Sequence, residues 1–169
     1  MRFVGLLLFG CLVIGAAVAQ DQAVFAAKAT SKFVNFPGLP TCMFGSVQSG
    51  DPSKGGSVIL GKANTACTVP WHWHTPTEQL MIVAGTAKVE MKDGSPVTLH
   101  AGDYAKMPTK HVHQFTCQAA CMLFISSDAA FDIHYVDGSG AEIPPDQALK
   151  AKPAAKSAPA KAAKTEEKK

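Results

Sequence analysis

From Phe36 to Gly138 the chain is broken every few residues by a turn signal, which leaves no room for a long helix. The breaks are Pro37-Gly38, Ser49-Gly50-Asp51-Pro52, Gly55-Gly56, Asp93-Gly94, Ala101-Gly102-Asp103 and Asp137-Gly138. Between them lie short apolar runs: Ser57–Leu60, Gln79–Ala84, Ala87–Met91, Val97–Leu99, Gln114–Thr116, Met122–Ile125 and Ile133–Val136. Many short strands joined by frequent turns predict an all-β sandwich or barrel. No segment here keeps a helical period. Val89–Met91 and Val97–Leu99 flank Asp93-Gly94, which reads as a hairpin with a tight turn at positive φ.

The ends of the chain have a different texture. Arg2 precedes an almost wholly apolar or small stretch, Phe3 to Val18, and Ala17-Val18-Ala19 fits the small-residue cleavage rule. Residues 1–19 therefore read as a signal peptide, with the mature chain starting at Gln20 and exported to a periplasmic or extracellular space. A membrane helix is the alternative, but the run stops at polar Gln20, Asp21 and Gln22, short for a span. A second alternative is lipidation of Cys11 in Leu8-Phe9-Gly10-Cys11, for which Phe9 is bulky. Residues 20–35 form an Ala-rich lead-in, 36–145 the domain, and 146–169 a Lys/Ala/Pro-rich tail expected to be disordered.

The net charge of +3 hides a division. Residues 20–149 carry 8 basic and 11 acidic side chains, whereas 150–169 carry 7 basic and 2 acidic ones. The folded part is mildly acidic, which argues against nucleic acid as a partner. The tail alone is basic. It could contact an anionic surface, although a merely solvated tail is the simpler reading.

Removing residues 1–19 leaves Cys42, Cys67, Cys117 and Cys121. An even number in an oxidising compartment allows two disulfides. The three residues between Cys117 and Cys121 would act as a hairpin loop that sets the sulfurs opposite each other, leaving Cys42 with Cys67 by elimination. Four buried thiols are the alternative. A zinc site on the C-x3-C spacing lacks a further Cys/His pair.

The chemistry is concentrated in Pro70-Trp71-His72-Trp73-His74-Thr75-Pro76-Thr77-Glu78. Alternate residues of a strand share a face, so His72 and His74 point the same way. Glu78 opens the next strand after a turn, and its carboxylate can return to the same point. His111-Val112-His113 begins another strand after Pro108 and offers a further imidazole. Three imidazoles and one carboxylate suit iron, manganese, zinc, copper or nickel. Trp71 and Trp73 alternate with the ligands and should face away. Leu80, Ile82, Met107 and Phe115 continue the inward alternation, as pocket lining or as plain core. His100 reads as a surface residue, and His134 as solvent-facing or as support for a ligand.

These residues resemble the cupin superfamily. Its first motif reads G-x5-H-x-H-x3,4-E-x6-G; here His72-x-His74-x3-Glu78-x6-Gly85 fits, with Ala66 in the place of the opening Gly. The second reads G-x5-P-x-G-x2-H-x3-N; Gly102-x5-Pro108 fits, and His113 takes the place of the metal His. Lys110 replaces the second Gly and Cys117 the final Asn. His111 falls outside the ligand place and is read as a supporting or substrate-facing residue. Gly50–Gly55 and Phe131–Val136 are similar to the flanks of single-domain cupins related to the metal-binding cupin of some anti-sigma factors. The resemblance covers roughly Phe36 to Ile143. It implies a jelly-roll barrel holding one divalent metal ion in its mouth through His72, His74, Glu78 and His113.

Two functions fit that implication. One is a metal-dependent enzyme acting on a small organic molecule, similar to the dioxygenases among cupins, with Glu78 moving a proton. The other is a non-catalytic module that binds or senses a metal or small ligand. A purely structural metal ranks below both, because a chain of 169 residues, 47% of them hydrophobic, can bury a core unaided. Pairing of sheet edges could also make a homodimer.

Overall fold

The computed structural model describes residues 23–150. The signal-peptide, Cys11 and 151–169 tail readings lie outside the described residues. Eleven strands are described: β1 (Met43–Gly50), β2 (Ser57–Ala63), β3 (Thr68–Trp73), β4 (Glu78–Ala84), β5 (Thr86–Met91), β6 (Val97–His100), β7 (Tyr104–Met107), β8 (His113–Cys117), β9 (Cys121–Ser127), β10 (His134–Val136) and β11 (Glu142–Ile143). They form a five-stranded sheet in the order β1-β2-β9-β4-β7 and a six-stranded sheet in the order β11-β10-β3-β8-β5-β6. Every described pairing is antiparallel. The two sheets face each other across one core, the jelly-roll arrangement expected from the sequence.

The inward faces follow the period-2 pattern. β4 buries Glu78, Leu80 and Ile82; β8 buries His113, Phe115 and Cys117; β9 buries Cys121, Leu123, Ile125 and Ser127. β3 departs from strict alternation. Its register against β8 shifts between Val69 and His72, so both of these side chains point inward although three positions apart.

One end of the barrel is closed by covalent bonds. Cys42 pairs with Cys67 and Cys117 with Cys121, each with Cα atoms 5.7 Å apart. The pairing is the expected one, but its geometry differs. β8 and β9 do not form a hairpin: β8 lies in the six-stranded sheet and β9 in the five-stranded one. The three-residue loop crosses from one sheet to the other, and its disulfide staples the layers together. Cys42 and Cys67 do the same just before β1 and β3. Backbone bonds reinforce this end, from Ala66 N–H to Cys117 O (2.7 Å) and from Cys117 N–H to Cys67 O (2.9 Å).

Two further expectations change in detail. The β5–β6 hairpin forms, with Val89 opposite Val97, but Gly94 is not at positive φ. The loop turns at Met91–Gly94, closed by Gly94 N–H to Met91 O, and is too long to need a mirror-image turn. The tail reading began at residue 146, yet Pro145–Lys150 is a short helix, α1, that buries Ala148 against the barrel. Pro145 opens it, where a missing N–H costs nothing, and Asp146 lies in its first turn. The described part of the lead-in contains a 3-10 turn at Lys28–Thr30 and a single bridge from Val34 to Gly45. No described helix is long and apolar enough to cross a membrane.

Candidate metal centre

The open end of the barrel collects the residues singled out in the sequence. His72 lies on β3 directly opposite His113 on β8. His74 follows β3 by one residue, and Glu78 opens β4 on the other sheet. All four side chains are almost sealed from solvent, at 3% exposure for His72 and His74, 6% for Glu78 and 1% for His113. One nitrogen from each histidine lies within 4.8 Å of the others, so the trio can hold a metal ion.

The orientation of each imidazole is fixed from behind by a backbone carbonyl. His72 Nδ1 bonds Pro70 O (2.6 Å), His113 Nδ1 bonds His111 O (2.8 Å), and His74 Nδ1 bonds Asp132 O. A carbonyl only accepts, so each Nδ1 carries the proton and each Nε2 presents a lone pair. The Nε2 atoms of His74 and His113 are 3.6 Å and 3.3 Å from the same oxygen, Oε2 of Glu78. Two imidazole lone pairs thus converge on a carboxylate oxygen, an arrangement of acceptors with no donor among them. Nε2 of His74 is buried without any hydrogen-bond partner. A buried acceptor left in this state is costly, and a cation placed among these atoms removes the cost. The donor set therefore fits a divalent metal.

The electrostatics agree. Burial pushes the His72 imidazole well below its ordinary pKa, and the neighbouring His113 and His74 push it further. Burial also lowers His74, outweighing Glu78. Burial alone would raise Glu78, but the facing His113 and His74 rings, in their protonated form, outweigh it and hold the carboxyl below its ordinary value. At neutral pH His72 and His74 are neutral and Glu78 ionised, the forms that bind metals.

The sequence did not reveal the supports behind the ligands. Asp132, 58 residues beyond His74, supplies its carbonyl to that ring and its carboxylate to the Thr75 N–H (2.7 Å). Asp128 accepts the Thr77 N–H (3.0 Å), so the segment after β9 pins the turn between His74 and Glu78 at both ends. Phe131 packs on the His74 ring with centroids 4.5 Å apart. The only hint was that Thr75-Pro76-Thr77 has few groups of its own to bond. His134 takes the supporting position: it stacks on the outer face of Trp73 at 3.9 Å and lies 3.3 Å from Asp132 and 2.8 Å from Glu142. His111 does not share a face with His113, because the strand begins only at His113; its side chain is exposed and its carbonyl is the part in use. Leu80, Ile82, Met107 and Phe115 are buried as the alternation required.

A barrel of two antiparallel sheets with three histidines gathered at its open end is the architecture of a cupin. The family described as "Cupin domain" matches residues 63–126, the stretch from the end of β2 to the end of β9. Among solved structures, an RmlC-like cupin from Shewanella frigidimarina aligns with a TM-score of 0.54 at 16% identity, over 64% of this chain and 92% of its own. The polyketide cyclase RemF from Streptomyces resistomycificus aligns with a TM-score of 0.60 at 12% identity, over 69% and 87%. An acetylacetone dioxygenase from Acinetobacter johnsonii aligns with a TM-score of 0.57 at 14% identity, over 79% and 92%. At these identities the likeness is one of fold. No curated protein sequence matches the chain.

Proposed function

We propose that this protein is an exported metal-dependent enzyme acting on a small organic molecule, with the ion held by His72, His74, His113 and Glu78. The observation that carries the reading is the partnerless Nε2 of His74, buried beside the Glu78 carboxylate. A bound transition metal would supply Lewis acidity or, for iron or copper, activation of dioxygen. The chain's own residues would orient and shield. The three carbonyls fix the imidazoles, Phe131 excludes water, and Glu78, ionised at neutral pH, is placed to accept a proton at Oε2. The fold is shared with an acetylacetone dioxygenase and a polyketide cyclase, which makes oxygen-rich carbonyl compounds the first substrates to try. Export is supported by the two disulfides, which persist in oxidising compartments.

A second reading, a metal- or ligand-binding module without turnover, draws on the tightness of the site: the void beside His72, Glu78 and His113 is only about 40 Å³. One experiment separates the two. Iron- and copper-loaded protein is given flavonols, enediols and 1,3-diketones while oxygen is followed. Consumption that disappears in His74→Ala supports the enzyme. Tight metal uptake with no turnover across the panel supports the binder, and failure to retain any divalent metal refutes both.

A further inference from the structure

We propose that the ligand of this centre carries an uncharged, apolar body of about a dozen non-hydrogen atoms, seated in a cavity that adjoins the metal void. The proposal rests on the metal reading above and adds the chemical class of the molecule. A cavity of about 350 Å³ lies between the five-stranded sheet and the segment Phe36–Leu39. It shares Leu39, Met43, Ile125, Phe131 and Ile133 with the void beside His72, Glu78 and His113. A molecule in the cavity therefore lies against the same walls as the metal site.

Two residues without side chains form part of its wall. Gly45 on β1 and Gly61 on β2 are directly opposite each other in register, and both are buried. At Gly61 a Cβ would stand 3.3 Å from the Ile125 Cδ1 and 3.4 Å from the Leu123 Cδ2, so this position points into the core. A Cβ at Gly45 would run into the ring of Phe36, which roofs that glycine. Neither glycine needs a positive φ, since neither adopts one. Their bareness is thus not demanded by the backbone. Phe36 covers one of them and Ile125 and Leu123 close on the other, so a larger side chain at either position would push into the cavity wall.

The lining decides the chemistry. Among the described residues no Lys, Arg or His lines this cavity; Ser53 and Asp132 are its described polar side chains. The Asp132 carboxylate is already engaged by Thr75 N–H and lies 3.3 Å from His134. An anionic body would face that carboxylate without a compensating cation, and a polyhydroxylated body would bury hydroxyls without partners. An aromatic or branched hydrocarbon body meets Leu, Ile, Met and Phe instead. Oxygen donors on the molecule then belong at the metal end.

The test holds the metal-binding head constant and varies the body. Zinc-loaded protein is titrated calorimetrically with acetohydroxamate, 3-phenylpropanohydroxamate and the monohydroxamate of succinate. The phenyl body is expected to tighten binding about 10- to 100-fold over acetohydroxamate, and the succinyl body not at all. Gly61→Val, and Ser53→Trp at the cavity's rim should the first variant fail to fold, are expected to abolish that gain while zinc content is retained. Equal affinity for the phenyl and acetyl compounds, tighter binding of the succinyl compound, or a gain that survives a folded variant overturns the proposal and leaves the metal reading intact. Loss of zinc, or no binding of acetohydroxamate, overturns both.

Discussion

The two residues that stand where cupin motifs carry glycine are also the two non-glycine residues described at positive φ. Ala66 sits at φ 62° and Lys110 at φ 60°. Both are the third residue of a four-residue turn, closed by Cys67 N–H to Asn64 O and by His111 N–H to Pro108 O. Gly102 occupies the same place in the turn His100–Asp103, at φ 96°. A turn with positive φ at its third residue favours glycine, because a Cβ there crowds the carbonyl oxygen that follows. Ala66→Gly should relieve about 1–2 kcal/mol of this strain and lose about 0.5–1 kcal/mol to the freer unfolded chain, for a net gain of about 0.5–1 kcal/mol. Ala66 is exposed, so no packing is lost. Its N–H to Cys117 O bond is a backbone contact that glycine keeps. At Lys110 the same relief is offset, because its ammonium lies 5.7 Å over the Trp73 ring and that contact contributes about 0.5–1 kcal/mol. Lys110→Gly should therefore be close to neutral. Thermal melts of the oxidised protein should place Ala66→Gly about 2–4 °C above the parent and Lys110→Gly within error of it. An Ala66→Gly protein that melts at or below the parent would refute the strain argument. Gly85→Ala and Gly102→Ala serve as the converse pair. An added Cβ meets open space at Gly102 but collides with the Ala120 carbonyl at Gly85, so Gly85→Ala should be the more damaging.

Three other outcomes follow from the metal centre and the staples. In metal-free Glu78→Gln the new amide can donate to the partnerless His74 Nε2, so the metal-free variant should melt higher by about 1 kcal/mol while binding zinc at least about tenfold more weakly; differential scanning calorimetry and a zinc titration read the two effects, and a less stable metal-free variant would contradict the geometry. His72 and His74 have folded pKa values below their ordinary one, so the unfolded chain binds more protons than the native one as pH falls below about 6.5, and stability falls with it. Urea midpoints of chelated protein should be level from pH 8 to 7 and then decline by up to about 1.4 kcal/mol per pH unit for each proton taken up; His134, shifted upward on balance, acts in the opposite sense but is too exposed to cancel this, and a flat profile down to pH 5 would show these imidazoles are not buried neutral. Replacing Cys42 and Cys67 together by alanine opens a loop of 25 residues and should cost about 3–4 kcal/mol, measurable as a shift in urea midpoint under oxidising conditions; an unchanged midpoint would contradict the staple.

The sequence made the strands and the histidine cluster legible for one reason: both obey local rules. Turn residues fix where strands stop, and the period of two puts His72 and His74 on one face whatever else the chain does. What stayed hidden depends on register between distant strands. A three-residue loop between Cys117 and Cys121 can close a hairpin or cross between sheets, and only the partners of β8 and β9 distinguish them. The slip at Val69 to His72 is a property of the β3–β8 pair, not of either strand. Asp132 was invisible as a support because its working atom is a backbone oxygen, which every residue possesses.

The same division explains how this chain departs from the family pattern without losing the site. Its substitutions at Ala66 and Lys110 fall where the backbone, rather than the side chain, performs the task. The Lys110 N–H bonds the His74 carbonyl at 2.8 Å, and the Ala66 N–H bonds Cys117 at the closed end. Any residue with an N–H can make those bonds if the surrounding structure forces φ positive. At the closed end Ala66 directly precedes Cys67, which is tied to Cys42 by a disulfide and to Cys117 by a backbone bond. At the open end Lys110 bonds the residue that opens a turn held by Asp132 and Asp128. Glycine at these positions would thus be a convenience of folding, whereas an imidazole at 72, 74 and 113 has no substitute that keeps a neutral nitrogen lone pair aimed at the same point. The imidazole cluster depends on side-chain chemistry, and the two turns depend on backbone groups alone. In this chain both turns depart from the family pattern, at positions held by cross-strand bonds that the sequence alone could not display.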